Sequence, residues 1–276
     1  MYCKRGGFLE PVSFDPSEFG IPPSSLEATD TSQLLGLLAA KMALEDCGYG
    51  VDRHFDRDRT SVIIGVTGTQ ELVIPLSSRL GYPKWRKALE DSGIPPAKTE
   101  EIIQKISDSY IPWQENSFPG LLGNVVAGRI SNRLDLRGTN CVVDAACASS
   151  FSAIHLAALE LISGRSDMVV TGGVDTLNDI FMHMCFSKTH TLSATGDARP
   201  FSKDADGTVL GEGIGILVLK RLETAQKDGN RIYAVIKGLG SSSDGKSQSI
   251  YSPSIEGQIR ALRAAYKNAG INPATD

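Results

Sequence analysis

The stretch from Asn140 to Gly173 limits what this 276-residue chain can fold into more than any other. Asn140-Cys-Val-Val-Asp144 is short and β-branched, the pattern of a strand inside a sheet. It passes through Ala145-Ala-Cys147-Ala into a segment from Ser149 to Ser163. There Phe151, Ile154, Ala158, Leu159 and Ile162 fall at helical spacing, and Gly164 supplies a stop. Asp167-Met-Val-Val-Thr-Gly-Gly173 reads as the next strand. Strand, helix and strand within about 35 residues make a βαβ unit with a right-handed crossover. The fold class is therefore α/β, with a sheet that is parallel here and covered on both faces, and the helix after Cys147 is expected to be buried near its centre.

The rest of the chain fits around that unit. Met1 to Asp30 is rich in Pro, Gly and Ser and reads as an ordered loop. Thr29-Asp-Thr-Ser32 offers helix caps, after which Leu34, Leu35, Leu38, Met42 and Leu44 trace an apolar face ending at Gly48. Thr60-Ser-Val-Ile-Ile-Gly65-Val is a buried strand followed by a Thr67-Gly-Thr loop. Two charged helical pieces, Trp85 to Ser92 and Lys98 to Ser109, look like an insertion. Ser117-Phe-Pro119 opens a helix continued by Leu121, Leu122, Val125, Val126, Ile130 and Leu134. Further strands are expected at Gly207 to Lys220 and Arg231 to Lys237, separated by a polar turn at Glu223 to Gly229. A last helix, Gly257 to Ala269, carries Ile259, Leu262 and Tyr266 on one face.

With 41% hydrophobic and 22% charged residues, the chain can bury a substantial core. A net charge of −4 and the absence of a basic stripe argue against a nucleic-acid partner. Five cysteines, at positions 3, 47, 141, 147 and 185, lack metal-type spacing, and no charged, apolar leader opens the chain. A reducing cytoplasm fits that usage. No apolar run reaches the roughly 18 residues a membrane span requires, so insertion is not expected.

Cys147 is the candidate nucleophile. A Val-rich strand feeding a helix through Ala and Ser puts the thiol on a sharp turn, as in a nucleophile elbow with sulfur in place of oxygen. Unpaired N–H groups at the helix start and the positive end of its dipole favour thiolate over thiol. The local pattern is equally that of a small buried cysteine packed under a helix.

Two other patterns need weighing. Gly240-Ser-Ser-Ser-Asp-Gly245-Lys246-Ser247 matches the phosphate-binding G-x-x-x-x-G-K-[ST] text after a strand. That chemistry needs a helix to start at Gly-Lys, whereas Pro253 interrupts it and Asp244 sets a carboxylate among the phosphates, so nucleotide binding is a secondary alternative. Of the four histidines, His155 lies two turns along the Cys147 helix, about 12 Å away by helical rise. His54 sits in a charged segment, Asp52 to Arg59. His183 and His190 flank Cys185 and are candidates to line a pocket near the elbow, although the spacing lacks the second ligand pair of a metal site.

With these residues in view, the chain resembles the β-ketoacyl synthase (ketosynthase) family of thiolase-like enzymes over nearly its whole length. The resemblance rests on Asn124-Val-Val-Ala-Gly-Arg-Ile-Ser131 continuing to Gly138, Val143-Asp-Ala-Ala-Cys147-Ala-Ser-Ser, and Thr171-Gly-Gly-Val174. It continues through Leu192-Ser-Ala-Thr-Gly196, Arg199-Pro-Phe201-Ser, and Ala205-Asp-Gly-Thr-Val-Leu-Gly-Glu-Gly213, in one order. Phe14-Asp-Pro, Thr29-Asp-Thr-Ser-Gln33 and Asn178-Asp-Ile-Phe-Met182 look most like ketosynthases of polyunsaturated-fatty-acid and iterative polyketide-type synthases, including the heterocyst-glycolipid kind.

The resemblance implies a thiolase-like layered fold (αβαβα), truncated to most of the first half plus the start of the second. Residues 1–230 would be the N-terminal half without its first strand, and 231–276 the opening of the C-terminal half. It implies that Cys147 takes an acyl chain as a thioester, its own N–H forming half of an oxyanion hole, before decarboxylative Claisen condensation with malonyl-acyl carrier protein. The family's two catalytic histidines lie in a His-Gly-Thr-Gly-Thr segment and a later one. Neither is present, so the chain alone is expected not to condense. No tightly held cofactor and no metal are implied, since phosphopantetheine arrives as the arm of acyl carrier protein. A homodimer through the strand Asn140 to Asp144 is implied as well. The competing class is a non-catalytic ketosynthase-like dimer partner, against which the retained Cys147 argues.

Overall fold

A computed structural model of the chain describes residues 2–50, 53–67, 70–246 and 252–275. Asp52, Gly68 and Thr69 of the expected loop, and Ser247 to Tyr251 lie outside the described residues. The chain divides into two compact units, Met1–Leu219 and Lys220–Asp276. No helix among the described residues is long and apolar enough to cross a membrane.

Six strands form among the described residues: β1 (Gly6–Gly7), β2 (Thr60–Gly65), β3 (Asn140–Val143), β4 (Met168–Asp175), β5 (Leu210–Gly211) and β6 (Gly213–Lys220). β1 and β5 pair with each other, and the main sheet has the order β3-β2-β4-β6. β2 runs parallel to both neighbours, with Gly65 opposite Val143 on one side and Gly173 on the other. The helices of the first unit are α1 (Thr31–Asp46), α2 (Val73–Ser78), α3 (Tyr82–Asp91), α4 (Pro96–Asp108), α5 (Ser117–Gly120), α6 (Val125–Arg133), α7 (Ser149–Ile162) and α8 (Ile180–Lys188). The expected βαβ unit is β3-α7-β4, with β2 lying between its two strands.

Alternation along β2 builds the layers. Val62 and Ile64 point into a core with Leu37, Ala40 and Leu44 of α1 and Val126 and Ile130 of α6. Ile63 points the other way, joining Val169 of β4 and Ala153, Ala157 and Leu161 of α7. Helices thus cover both faces, and burial of each large aliphatic side chain contributes about 1.5–3 kcal/mol. Asp30 caps α1 by accepting from the Ser32 N–H at 3.0 Å, and the chain leaves that helix through Gly48 at φ +80°.

Several expectations are corrected. The face of α7 on the sheet is Ser149, Ala153, Ala157 and Leu161, while Phe151 (71% exposed), Leu159 and Ile162 (78%) face outward. The Cys147 helix is therefore buried on one side only. On α1 the buried set is Ser32, Gln33, Gly36, Leu37, Ala40 and Leu44, and Met42 is exposed. The helix expected from Ser117 onward is split into α5 and α6. A Cβ on Gly120 would come within 1.6 Å of the Ala28 carbonyl oxygen, a contact that fixes the chain between them.

In the second unit, the expected turn at Glu223 to Gly229 is mostly helix α9 (Leu222–Lys227). Arg231 to Lys237 has the residues of a strand but joins no ladder among the described residues, because a strand needs a partner as well as a pattern. Tyr233 and Ile236 in it are exposed. Helix α10 (Ile255–Ala269) starts at a Ser254 cap whose Oγ accepts from the Gly257 N–H at 3.3 Å, and Leu262 and Tyr266 on it are exposed. The residues through which a phosphate-binding helix would run after Gly245-Lys246 lie outside the described residues. Asp244 packs so closely on Gly257 that a Cβ there would meet its Oδ1.

Candidate active site

Cys147 lies two residues before Ser149, where α7 begins, and its side chain is exposed. The exposed position removes the reading in which it is a small core cysteine. Small residues make the corner possible. A Cβ on Gly65 at the end of β2 would lie 2.5 Å from the Ser149 carbonyl carbon and the Ser150 nitrogen, and one on Gly173 would lie 2.8 Å from the Ser150 Cβ. With glycine at both places, the first turn of α7 rests directly on the strand ends.

The turn itself is held by side chains. Ser149 Oγ accepts from the Ala145 N–H at 2.9 Å and donates to the Ala146 carbonyl at 2.6 Å. Asp144 Oδ1 accepts from the Ala146 N–H at 3.0 Å and from the Thr67 hydroxyl at 2.7 Å. Ala146, not Cys147, carries the left-handed backbone, at φ +49°. The left-handed residue is thus the one before Cys147.

The other cysteines differ. Cys3 is buried, and Cys47 is partly buried with its thiol directed at the Leu44 carbonyl, 3.2 Å away. Partial burial, aided by the Glu160 charge, pushes the Cys141 thiol up on β3. Only Cys185, on α8, is exposed as Cys147 is, and none of the five cysteines forms a disulfide.

No histidine hydrogen-bonds the Cys147 thiol among the described residues. His155 is half-buried on α7 and His54 is exposed. His183 is not a pocket-lining group: its ring is buried on α8, with Nε2 3.1 Å from Asn178 Oδ1. Asn178 in turn donates to the carbonyls of Gly7 and Leu210, so this pair braces β1 and β5. His190 is exposed at φ +55° and stacks on Tyr2. Sequence reading missed α8 altogether, although Asp179 caps it by accepting from the Met182 N–H at 3.1 Å, a signal that was there to use.

The segments around 192–207 are tied together by one carboxylate. Asp206 accepts from the Ser193 hydroxyl at 2.7 Å and from the Thr195 N–H at 2.9 Å, and these bonds hold its pKa down at about 2. A Cβ on Gly207, at φ +146°, would collide with the Leu192 carbonyl carbon. A cavity of about 360 Å³ lies elsewhere, bounded by Phe19, Tyr49 and Phe55. Its acids Glu18, Glu45 and Asp135 are matched in number by Lys41, Arg57 and Arg133, which gives it no preference for a charged ligand.

A cysteine presented at a strand-to-helix corner on an α/β layered scaffold is an arrangement that can be compared with known proteins. The profile "Beta-ketoacyl synthase, N-terminal domain" matches residues 1–225, and "Beta-ketoacyl synthase, C-terminal domain" matches residues 233–275. A polyunsaturated fatty acid synthase polypeptide of Thraustochytrium sp. is 43% identical over 275 residues, covering 100% of this chain and 10% of that protein. Polyketide synthase PksN of Bacillus subtilis is 36% identical over 99% of this chain, which spans 4% of it. Among solved structures, the ketosynthase from module 6 of the bacillaene synthase of Bacillus subtilis 168 superposes with a TM-score of 0.73 at 30% identity. That match covers 94% of this chain and 39% of the other. The chain therefore spans a tenth or less of these two synthases and about two fifths of the solved ketosynthase. Its layered fold is thiolase-like, as in those ketosynthases. Profile, sequence relatives and superposition agree along almost the whole chain, and on that agreement it belongs to the β-ketoacyl synthase family.

Proposed function

We propose that this chain is the acyl-accepting part of a decarboxylative Claisen-condensing ketosynthase in fatty acid or polyketide synthesis, with Cys147 as nucleophile. The observation that carries the reading is the exposed thiol at the end of β3, just ahead of α7, in a chain of this family. Cys147 gives its proton to solvent and its thiolate attacks the carbonyl of an acyl thioester; the tetrahedral oxyanion that forms collapses with cleavage of the carrier C–S bond, and the carrier leaves as a thiolate that takes a proton from solvent. The Cys147 N–H is half of the oxyanion hole. Condensation then requires loss of CO2 from a malonyl thioester, which needs proton-handling groups near the sulfur. None of the histidines among the described residues bonds to it, so the chain by itself stops at the acyl-enzyme.

The acyl donor is carried on the phosphopantetheine arm of an acyl carrier protein, and no resident metal or cofactor takes part. Residues 1–230 constitute the N-terminal ketosynthase half and 231–276 the start of the C-terminal half, a division supported by the two profile matches. Because β3 is an edge of the main sheet, its outer N–H and C=O groups are available to a second copy, which supports a homodimer formed through Asn140–Val143. The cytoplasm is its setting, in keeping with five cysteines that form no disulfide.

The test is acyl transfer from hexanoyl-N-acetylcysteamine, read by peptide-resolved mass spectrometry. One hexanoyl group on Cys147, released by hydroxylamine and absent from Cys147→Ala, is expected. No label on Cys147, with or without label on Cys185, would reject the nucleophile and favour the non-catalytic dimer partner.

A further inference from the structure

Asp144 lies three residues before Cys147, and its carboxylate is the acceptor that holds the turn. Ala146 sits at φ +49°, a conformation that costs a non-glycine residue about 1–2 kcal/mol. Something must offset that cost. Hydrogen bonds that do so include those of Asp144 Oδ1 with the Ala146 N–H and the Thr67 hydroxyl, and those of Ser149 Oγ with Ala145 and Ala146. Each contributes about 0.5–1.5 kcal/mol net, enough together to hold one left-handed alanine.

Resting on the reading of Cys147 as nucleophile, we propose that Asp144 is a positioning residue for acyl transfer. Asp144 locks Ala146 in its left-handed conformation and thereby sets the direction in which the thiol leaves the turn. Thr67 is its anchor. The threonine lies two residues past the end of β2, the strand that carries the helix-contacting Gly65, so its hydroxyl refers the carboxylate to the central strand of the sheet. The acceptor, not the charge, is the feature that matters.

Small and large electrophiles separate positioning from reactivity. Iodoacetamide needs only an accessible thiolate, whereas a thioester must meet the sulfur along a restricted approach, and misplacement by about 1 Å can cost about 100-fold. In Asp144→Ala, transfer from hexanoyl-N-acetylcysteamine to Cys147 should fall by roughly 10- to 100-fold. The iodoacetamide rate at Cys147 should stay within about threefold of the parent, since a small electrophile needs no fixed approach. Asp144→Asn keeps an oxygen acceptor and should restore acyl transfer to within about threefold of the parent. Thr67→Val should fall between, and Ala146→Gly in the Asp144→Ala background should recover part of the loss, since glycine enters the left-handed region freely.

Acylation of Asp144→Ala at the parent rate would overturn the proposal while leaving Cys147 as nucleophile. An Asp144→Asn protein as slow as Asp144→Ala would overturn it too, by assigning the effect to charge. A parent protein that takes no acyl group on Cys147 removes both readings together. Should Asp144→Ala fail to fold, Thr67→Val and Asp144→Asn decide the question by the same ratio of the two rates.

Discussion

The two faces of the main sheet are covered in different ways. On the face of Val62 and Ile64, Leu37 and Leu44 of α1 and Val126 and Ile130 of α6 close a core from which solvent is excluded. On the face of Ile63, one helix rests on the sheet through Ala153, Ala157 and Leu161 and turns Phe151, Leu159 and Ile162 outward. The first face is built from large side chains and carries stability. The second is built from small ones, which brings the start of α7 down onto Gly65 and Gly173 and leaves Cys147 at the surface. Presentation of the thiol depends on close backbone approach, not on bulk.

The largest effect should come from the closed face. Leu37→Ala should cost about 2–5 kcal/mol in urea denaturation, as expected for a fully buried leucine. Phe151→Ala, with the larger side chain, should cost no more than about 0.5 kcal/mol, because that ring is mostly in solvent. Equal losses at the two positions would break the contrast.

Next comes the corner itself. Gly65→Ala puts a methyl group 2.5 Å from the Ser149 backbone, so α7 must lift or the strand must yield. A cost of about 1–3 kcal/mol is expected, together with slower acylation of Cys147. Acylation at the parent rate despite the clash would show that the close approach does not aim the thiol.

The smallest effect belongs to Asp206, an exposed side chain. Its pKa lies near 2, below the ordinary 3.8, because Ser193 and Thr195 donate to it. The stabilisation it provides is complete above the ordinary value and disappears as pH falls through about 2. Thermal scans of the parent and Asp206→Ala should therefore differ at pH 5 and converge toward pH 2. A difference that persists at pH 2 would locate the effect elsewhere.

These contrasts also explain what could be read in the sequence. β2 and β4 were legible because Val-Ile-Ile and Met-Val-Val are β-branched or apolar runs of strand length, and the parallel βαβ arrangement followed from spacing. The inner face of α7 was not legible, because Ala153, Ala157 and Ser149 carry little hydrophobic signal while the outward Phe151 and Ile162 carry much. Arg231 to Lys237 misled for the converse reason: a β-branched pattern belongs to one segment, whereas a ladder needs two. Cys147 could be singled out from its strand-to-helix setting. The means of holding it could not, since nothing in an Ala-Ala-Cys run announces a left-handed alanine or a partner 77 residues away at Thr67.

The central claim is that the fold makes Cys147 reactive toward thioesters. Cys185 is the comparison within the same molecule, being likewise exposed but set within α8 instead of ahead of a helix. The most direct measurement is the ratio of acylation rates at Cys147 and Cys185 in one sample, by peptide mass spectrometry, for folded and urea-unfolded chain. The account predicts a ratio on the order of 10 or more when folded, collapsing toward unity when unfolded. Equal rates in the folded chain, or a preference that survives unfolding, would contradict it.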